Sequence, residues 1–390
     1  MDSQIQKIAL LGATGSIGEQ TLDIIRNNKD KYEITSLSSN KNWQKLAELA
    51  IEFEVDSVVI ADKSFYNELS ESLKDEPIKV YAGNEAVSQI VASENVDTVV
   101  NAIVGYAGLM PALASIRAKK KLALANKESL VVAGEILMRE ALENNSPILP
   151  IDSEHSAVFQ CVTGEYSDIE KIILTASGGP FLSRELSTFS SISVEEALQH
   201  PNWDMGAKIT IDSATMVNKA FEVIEAHHLF GASAEQIDVV IHPQSVVHSM
   251  VEFRDGAIKA QLGTPDMRMP IQYALSYPVR ESLPSDAKSF SFRGGVNLSF
   301  MDVEPERYPS LEIAYRVIKE KGNLGCIFNA ANEVAVEAFL NGEIKFTDIS
   351  KVIEQTLEGA TKIKEITLEN LATTNAEARE ISKKIIKNLK

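Results

Sequence analysis

The amino-acid sequence predicts an α/β protein with an N-terminal doubly wound parallel sheet, an α+β middle region and a helical C-terminal domain. Three observations carry this. Short apolar runs alternate with helix-length gaps over the first 150 residues, the rhythm of strands buried on both faces. A glycine-rich turn follows the first run and opens a helical pattern. From residue 311 onward the periodicity is mainly that of amphipathic helix.

The chain is large enough for two or three cored domains, at 390 residues, and its 44% hydrophobic and 24% charged content is that of an ordinary globular protein. No run of about 18 apolar residues is present, and a strand follows a few polar residues, so no membrane span or signal peptide is expected. Two distant cysteines, Cys161 and Cys326, suggest neither a disulfide framework nor a thiolate metal site and fit a reducing cytoplasm. A net charge of −17 argues against nucleic acid and anionic membranes as partners.

Strands are predicted at residues 7–11, 34–37, 57–60, 78–81, 98–104, 122–125 and 148–151. The first leads into Gly12-Ala13-Thr14-Gly15-Ser16-Ile17-Gly18, with helix from Glu19 to about Asn27. Glycines there permit a tight turn and close approach of a pyrophosphate, which the helix N-terminus attracts; the alternative is a purely structural turn. The second strand ends in Ser38-Ser39-Asn40-Lys41-Asn42. An acid there would accept from NAD ribose hydroxyls and repel a 2′-phosphate, whereas Ser, Asn and Lys donate to it, so NADPH is favoured over Lys41 as a plain surface residue. Asn126-Lys127-Glu128 follows the sixth run, either as a ligand contact at the carboxyl end of the sheet or as a helix start.

The next segment, Ile151-Asp152-Ser153-Glu154-His155-Ser156, is the most informative. Read as extended backbone after a strand, it puts Asp152 and Glu154 on one side. Converging carboxylates repel unless a cation sits between them, and a hard divalent ion meets that need; the alternative is a solvated acidic turn. Ser177-Gly178-Gly179-Pro180-Phe181 suits an anion-holding loop. His200-Pro201-Asn202-Trp203-Asp204-Met205-Gly206 reads as a lid, with Trp203 closing over a ligand and His200 reaching it, or as a surface loop with its tryptophan in the core. After it, Met216, Val217, Phe221, Ile224 and Leu229 show helical spacing, with Asp212 or Ser213 as N-cap. Asn218, Lys219 and Glu222 share a side of that helix. Ser213, Asn218 and Lys219 are donors a phosphate wants. Glu222 would join Asp152 and Glu154 in a Mg²⁺ or Mn²⁺ site, unless it only forms a surface pair with Lys219. His227 and His228 read as structural, and His242 and His248 as interface or packing residues rather than ligands.

These motifs together, from about residue 8 to 333, closely resemble the 1-deoxy-D-xylulose 5-phosphate reductoisomerases. The resemblance implies NADPH-dependent rearrangement and reduction of 1-deoxy-D-xylulose 5-phosphate to 2-C-methyl-D-erythritol 4-phosphate. It further implies Mg²⁺ or Mn²⁺, with Co²⁺ an alternative, a cytoplasmic homodimer, and a Rossmann-type domain, a catalytic domain, a connector and a C-terminal helical bundle. Here these would span residues 1–150, 151–277, 278–309 and 310–390, with dimerisation through the second. By matching positions, Asp152, Glu154 and Glu222 are metal ligands. Ser177, Ser213, Asn218 and Lys219 bind phosphate; Lys127, Ser153, His200 and Trp203 contact substrate. Thr14, Gly15, Ser16, Ile17, Asn126, Glu128 and Gly206 contact cofactor, as do Asn40, Lys41 and Asn42. Lys127, Asp152, Glu154, His200 and Glu222 are the residues expected to carry catalysis.

Three departures from the family pattern are mild: Ala13 loses a hydroxyl, Ala220 improves a helix, and Asn40 replaces a glycine whose left-handed backbone Asn tolerates. Two rivals are a different NADP oxidoreductase and a non-catalytic NADPH sensor. A semialdehyde dehydrogenase would need an activated cysteine, and neither cysteine sits beside an evident base. A sensor has no use for both a carboxylate triad and a phosphate clamp. The segment Asn329-Ala330-Ala331-Asn332-Glu333 belongs to the supporting helical region, where no catalytic set is expected.

Overall fold

The computed structural model describes residues 5–199 and 205–389, which divide into two compact units. The first comprises Met1–Ser129, Leu137–Ser156 and Asp266–Ala287. It is built on seven parallel strands: β1 (Gln6–Leu11), β2 (Tyr32–Ser39), β3 (Ser57–Ile60), β4 (Lys79–Ala82), β5 (Thr98–Asn101), β6 (Lys121–Leu124) and β7 (Ile148–Pro150). Their order is β4-β3-β2-β1-β5-β6-β7, so the winding reverses between β1 and β5. All seven predicted runs are strands; runs such as Val58-Val59-Ile60 are buried on both faces and have no amphipathic alternative, while the edge strand β4 alternates exposed and half-buried residues. The helix Ser16–Arg26 buries Leu22, Ile24 and Ile25, with Glu19 near its positive end and Arg26 at its negative end.

Asp266–Ala287 returns to this unit and is tied down by polar contacts. The Arg268 guanidinium pairs with Asp23 at 2.9 Å, Asp266 at 2.8 Å and Asp286 at 3.0 Å. Gln272 Nε2 donates to Tyr32 Oη at 3.0 Å, and Lys121 Nζ donates to the Leu275 carbonyl at 2.8 Å.

The second unit holds Leu130–Ile136, Ala157–Pro265 and Lys288–Lys390. Four strands, β8 (Ile169–Ala176), β9 (Ile237–Ile241), β10 (Val247–Phe253) and β11 (Ile258–Leu262), lie in the order β11-β10-β8-β9. Only β8 and β9 run parallel, which makes the middle region α+β as expected. The helices Ser310–Glu320, Leu324–Leu340, Asp348–Gly359 and Leu368–Leu389 complete the unit. Leu324–Leu340 is buried nearly all round and is the centre of the group. Phe328 from it meets Phe221 edge-on at 5.0 Å, and both rings are fully buried. Truncating either to Ala would cost about 3–5 kcal/mol.

Two of the expected structural histidines, His242 and His228, are packed into the fold. His242 accepts from the Val246 and Val247 amides at 3.2 Å, and its other ring nitrogen lies 2.8 Å from the Ser299 carbonyl. His228 lies against Gly134, where a Cβ would come within 2.2 Å of its ring. Burial, then the charges of His227 and Lys321, pushes its pKa down to about 3. Below its ordinary value of about 6.5 the unfolded chain binds a proton that the folded chain refuses until about pH 3. Stability therefore falls as pH drops through that window, by up to about 1.4 kcal/mol per pH unit. His228→Gln is expected to remove this part of the slope in urea unfolding between pH 4 and 7. An unchanged slope would show that the imidazole does not titrate this way.

Candidate active site

In the first unit, the glycine loop follows β1 at the switch point of the sheet, where open α/β folds bind ligands. Gly12 has φ +79°, and a Cβ there would lie 2.6 Å from the Ala102 carbonyl oxygen. A Cβ on Gly18 would lie 2.4 Å from the Gly12 carbonyl oxygen, so the helix can begin against the loop only without a side chain. Gly15 and Ser16 are exposed at the N-terminus of Ser16–Arg26, with Thr14 and Ile17 half-buried beside them. Thr14 Oγ1 is hydrogen-bonded to Ser39 Oγ at 2.8 Å, tying the loop to the end of β2. Asn40, Lys41 and Asn42 follow, all exposed. Asn42 caps the helix Trp43–Glu52 by accepting from the Lys45 amide at 3.2 Å. Asn40 is not among the left-handed residues, so the tolerance expected of it there is not called on.

Asn126-Lys127-Glu128 is a helix start, and at the same time it sits at the carboxyl end of β6. Asn126 Oδ1 accepts from the Ser129 amide at 3.0 Å, and its Nδ2 donates to the Ile103 carbonyl at 2.7 Å and to Glu128 Oε2 at 2.9 Å. The buried Lys127 ammonium forms an ion pair with Asp152.

One geometric expectation is corrected. Asp152 and Glu154 do not lie in extended backbone, because the helix Ser153–Val162 begins immediately after Asp152. Asp152 sits at the N-terminus and Glu154 in the first turn. Their carboxylate oxygens nevertheless come within 4.8 Å of each other. His155, absent from the expected set, is fully buried with its Nδ1 3.1 Å from Asp152 Oδ1. Burial raises the Asp152 pKa, but the Lys127 and His155 charges and hydrogen bonds outweigh it and hold the carboxyl well below the usual range. The group is an anion. Ser153 Oγ donates to Glu154. Two carboxylates and a hydroxyl at one place make an oxygen donor set suited to a hard divalent cation.

In the second unit, the single helix expected after the lid is two: Ala207–Ala214 and Val217–Phe230. Asp212 and Ser213 are thus in the last turn of the first helix and cap nothing. Between the helices Met216 takes φ +60°, a corner that puts Ser213 close to the first turn of the second helix, where Asn218 and Lys219 lie. Gly178 and Gly179 both have positive φ, and a Cβ on Gly179 would lie 3.1 Å from the Ser213 carbonyl oxygen. The Ser177 loop is therefore packed onto Ser213, and the Gly179 amide donates to Ser177 Oγ at 3.2 Å. Lys219 and Glu222 are 3% and 0% exposed and joined by an ion pair, so theirs is no surface pair. Asn218 Nδ2 donates to the other Glu222 oxygen at 2.5 Å.

Sequence reading missed further contacts in this unit. Buried Asp212 pairs with Lys208 at 2.8 Å and accepts from Asn332 Nδ2 at 2.8 Å. Tyr308 and Ser310 reach the same region. Lys208 is four residues before Asp212, a readable helical pair; the long-range partners leave no local trace. Gly206 is exposed and precedes Ala207–Ala214, whereas His200 and Trp203 lie outside the described residues. Burial pushes the Cys161 and Cys326 thiols up to about 11 and about 12, so neither is a nucleophile at neutral pH. No helix among the described residues is long and apolar enough to cross a membrane.

Residues 8–134 match the family described as 1-deoxy-D-xylulose 5-phosphate reductoisomerase, and residues 148–230 and 262–381 match C-terminal domains of the same enzyme. The reductoisomerase of Bacteroides thetaiotaomicron is 53% identical over 382 residues, covering 98% of this chain and 97% of that one. The Bacillus pumilus reductoisomerase is 47% identical, covering 97% and 99%. Among solved structures, the Zymomonas mobilis reductoisomerase in complex with NADPH superposes with a TM-score of 0.90 at 43% identity, covering 98% and 99% of the two chains. A DOX-P reductoisomerase in complex with NADPH, fosmidomycin and magnesium gives 0.92 at 41%, covering 98% of each. With each stretch of loop, carboxylate and clamp falling inside these matches, the chain belongs to the 1-deoxy-D-xylulose 5-phosphate reductoisomerase family.

Proposed function

We propose that this chain isomerises and reduces 1-deoxy-D-xylulose 5-phosphate to 2-C-methyl-D-erythritol 4-phosphate, using NADPH and Mg²⁺ or Mn²⁺, in isoprenoid precursor synthesis. The observation that carries it is the ionised Asp152, its side chain 12% exposed, paired to Lys127 and set beside Ser153 and Glu154. Asp152, Glu154 and Glu222 hold the cation in this reading. Thr14, Gly15, Ser16 and Ile17 receive the cofactor pyrophosphate at a helix N-terminus, and Asn40, Lys41 and Asn42 its 2′-phosphate. Asn126, Glu128 and Gly206 complete the cofactor contacts, and His200 and Trp203 close over the substrate. We place the enzyme in the cytoplasm as a homodimer.

When bound, the cation supplies Lewis acidity to substrate oxygens and NADPH supplies the hydride. The chain's own groups bind and orient. Ser177, Ser213, Asn218 and Lys219 grip the phosphate, a remote anchor whose binding energy positions the reacting carbons. Lys127 keeps Asp152 ionised and aims an ammonium toward substrate oxygen. Lys219 and Asn218 meet the two oxygens of Glu222 in the same way, a donor to each.

NADPH absorbance is expected to fall on adding 1-deoxy-D-xylulose 5-phosphate with Mg²⁺ or Mn²⁺, and to hold steady with chelator. Glu222→Gln should lower kcat by roughly 100-fold or more while NADPH affinity stays within about twofold. Equal loss of both would remove Glu222 from the metal set. Lys41→Glu should weaken NADPH about tenfold, or about 1.4 kcal/mol, and leave NADH nearly unchanged. Equal effects on both cofactors would show that Lys41 does not meet the 2′-phosphate.

A further inference from the structure

The chain from Tyr308 onward carries no residue assigned to the reaction, yet three of its side chains reach the phosphate clamp within the second unit, two at backbone carbonyls and one at the Asp212 carboxylate. Tyr308 Oη donates to the Gly178 carbonyl at 2.7 Å, one residue after Ser177. Ser310 Oγ donates to the Thr215 carbonyl at 2.8 Å, at the corner between Ser213 and Asn218. Asn332 Nδ2 donates to Asp212 Oδ1 at 2.8 Å, one residue before Ser213. All three donors are buried, Tyr308 and Ser310 at 3% exposure and Asn332 at 0%.

We infer that Tyr308, Ser310 and Asn332 are positioning residues that set the phosphate clamp from behind. Two physical arguments support this, and both rest on the phosphate role proposed for Ser177, Ser213, Asn218 and Lys219. The first is conformational. The clamp is made of strained or glycine-dependent backbone, with φ +84° at Gly178, +68° at Gly179 and +60° at the buried Met216. Such conformations persist only where the surroundings over-determine them. The donors bind the carbonyls of Gly178, inside one of these turns, and of Thr215, just before the other.

The second argument is electrostatic. A carbonyl oxygen or a carboxylate facing a phosphate repels it. Tyr308 and Ser310 hold two carbonyls toward the helical region, which leaves serine hydroxyls and backbone amides for the anion. Asp212 is the acid closest in sequence to Ser213. Lys208 at 2.8 Å and Asn332 at 2.8 Å occupy its two oxygens, so its charge is neutralised where a phosphate would be bound. Burial pushes the Tyr308 phenol up to about 12, so it remains a neutral donor across the working range.

Tyr308→Phe keeps the ring and deletes only the donor, and Asn332→Ala removes the amide. Each full-length variant is titrated with inorganic phosphate by calorimetry in the presence of NADPH, and assayed with 1-deoxy-D-xylulose 5-phosphate. The phosphate Kd and the substrate KM are expected to rise about tenfold, with kcat at saturation within about threefold and NADPH affinity unchanged. In a Ser177→Ala background, Tyr308→Phe should add little, because it acts through the same loop. A phosphate Kd within about twofold of the parent, or a parallel fall of kcat, NADPH affinity and thermal midpoint, would overturn the inference. The phosphate titration needs no turnover. A parent protein that binds phosphate without reducing the sugar therefore refutes the proposed reaction and leaves the clamp test standing.

Discussion

Carboxylates withdrawn from solvent are the constraint that recurs in both units. Asp152, Asp212 and Glu222 are each 12% exposed or less at the side chain, and each meets a lysine: Lys127, Lys208 and Lys219. An isolated buried carboxylate would take up a proton instead, and a neutral acid is a poor ligand for a hard cation. Lys127, with His155, keeps Asp152 charged, and Lys208 and Lys219 pair with Asp212 and Glu222 in the same way. Removing one partner of such a pair leaves an uncompensated charge, at a cost of about 3–5 kcal/mol. The ion pairs are therefore weak as sources of stability and strong as determinants of what the carboxylates can bind.

The lysine partners lie at short sequence separations or on adjoining strand ends, so the backbone decides them. Lys208–Asp212 and Lys219–Glu222 are i,i+4 and i,i+3 pairs, fixed as soon as their helices form. Lys127–Asp152 joins residues just beyond β6 and β7, which are parallel neighbours. Parallel pairing brings the carboxyl ends of successive strands to one edge, the property that concentrates ligand sites there. The same pairing places the glycine loop beyond β1, beside the end of β2.

How much of this could be read from the chain depends on how local each determinant is. The seven strands of the first sheet were legible because runs such as Val58-Val59-Ile60 have only one way to be buried in an α/β rhythm. The glycine loop was legible because Gly12 and Gly18 sit where any side chain would strike backbone. The break at Met216 was not. Helical apolar spacing runs unbroken through Met216, Val217 and Phe221, and the left-handed corner is made by a methionine, where glycine or asparagine would have announced it. The start of Ser153–Val162 was misread because Asp152 and Glu154 suit a strand end in polarity. The cue was Asp152 itself, an N-terminal acid that also accepts from the His155 amide at 3.4 Å. The return of Asp266–Ala287 to the first unit rests on Arg268 and Gln272 meeting Asp23 and Tyr32, more than two hundred residues away.

The parts of the site that sequence could not supply are those made by backbone held from a distance. Ser177, Ser213 and Lys219 are recognisable as phosphate donors by type, but type does not bring them together. Gly179 packs against Ser213, and the corner at Met216 turns the chain from Ser213 into the helix that carries Lys219. A buried carbonyl in such turns must find a donor, since an unpaired one costs about 1–3 kcal/mol. Water would satisfy it and leave the turn free to relax. Tyr308 and Ser310 satisfy it from elements seated in the same core as Phe328 and Leu324, so the turns inherit the rigidity of that core. The extra polar groups inside the helical region are then no defect in its packing. In the function proposed, they are the means by which an apolar layer without chemistry of its own keeps an anion site in shape.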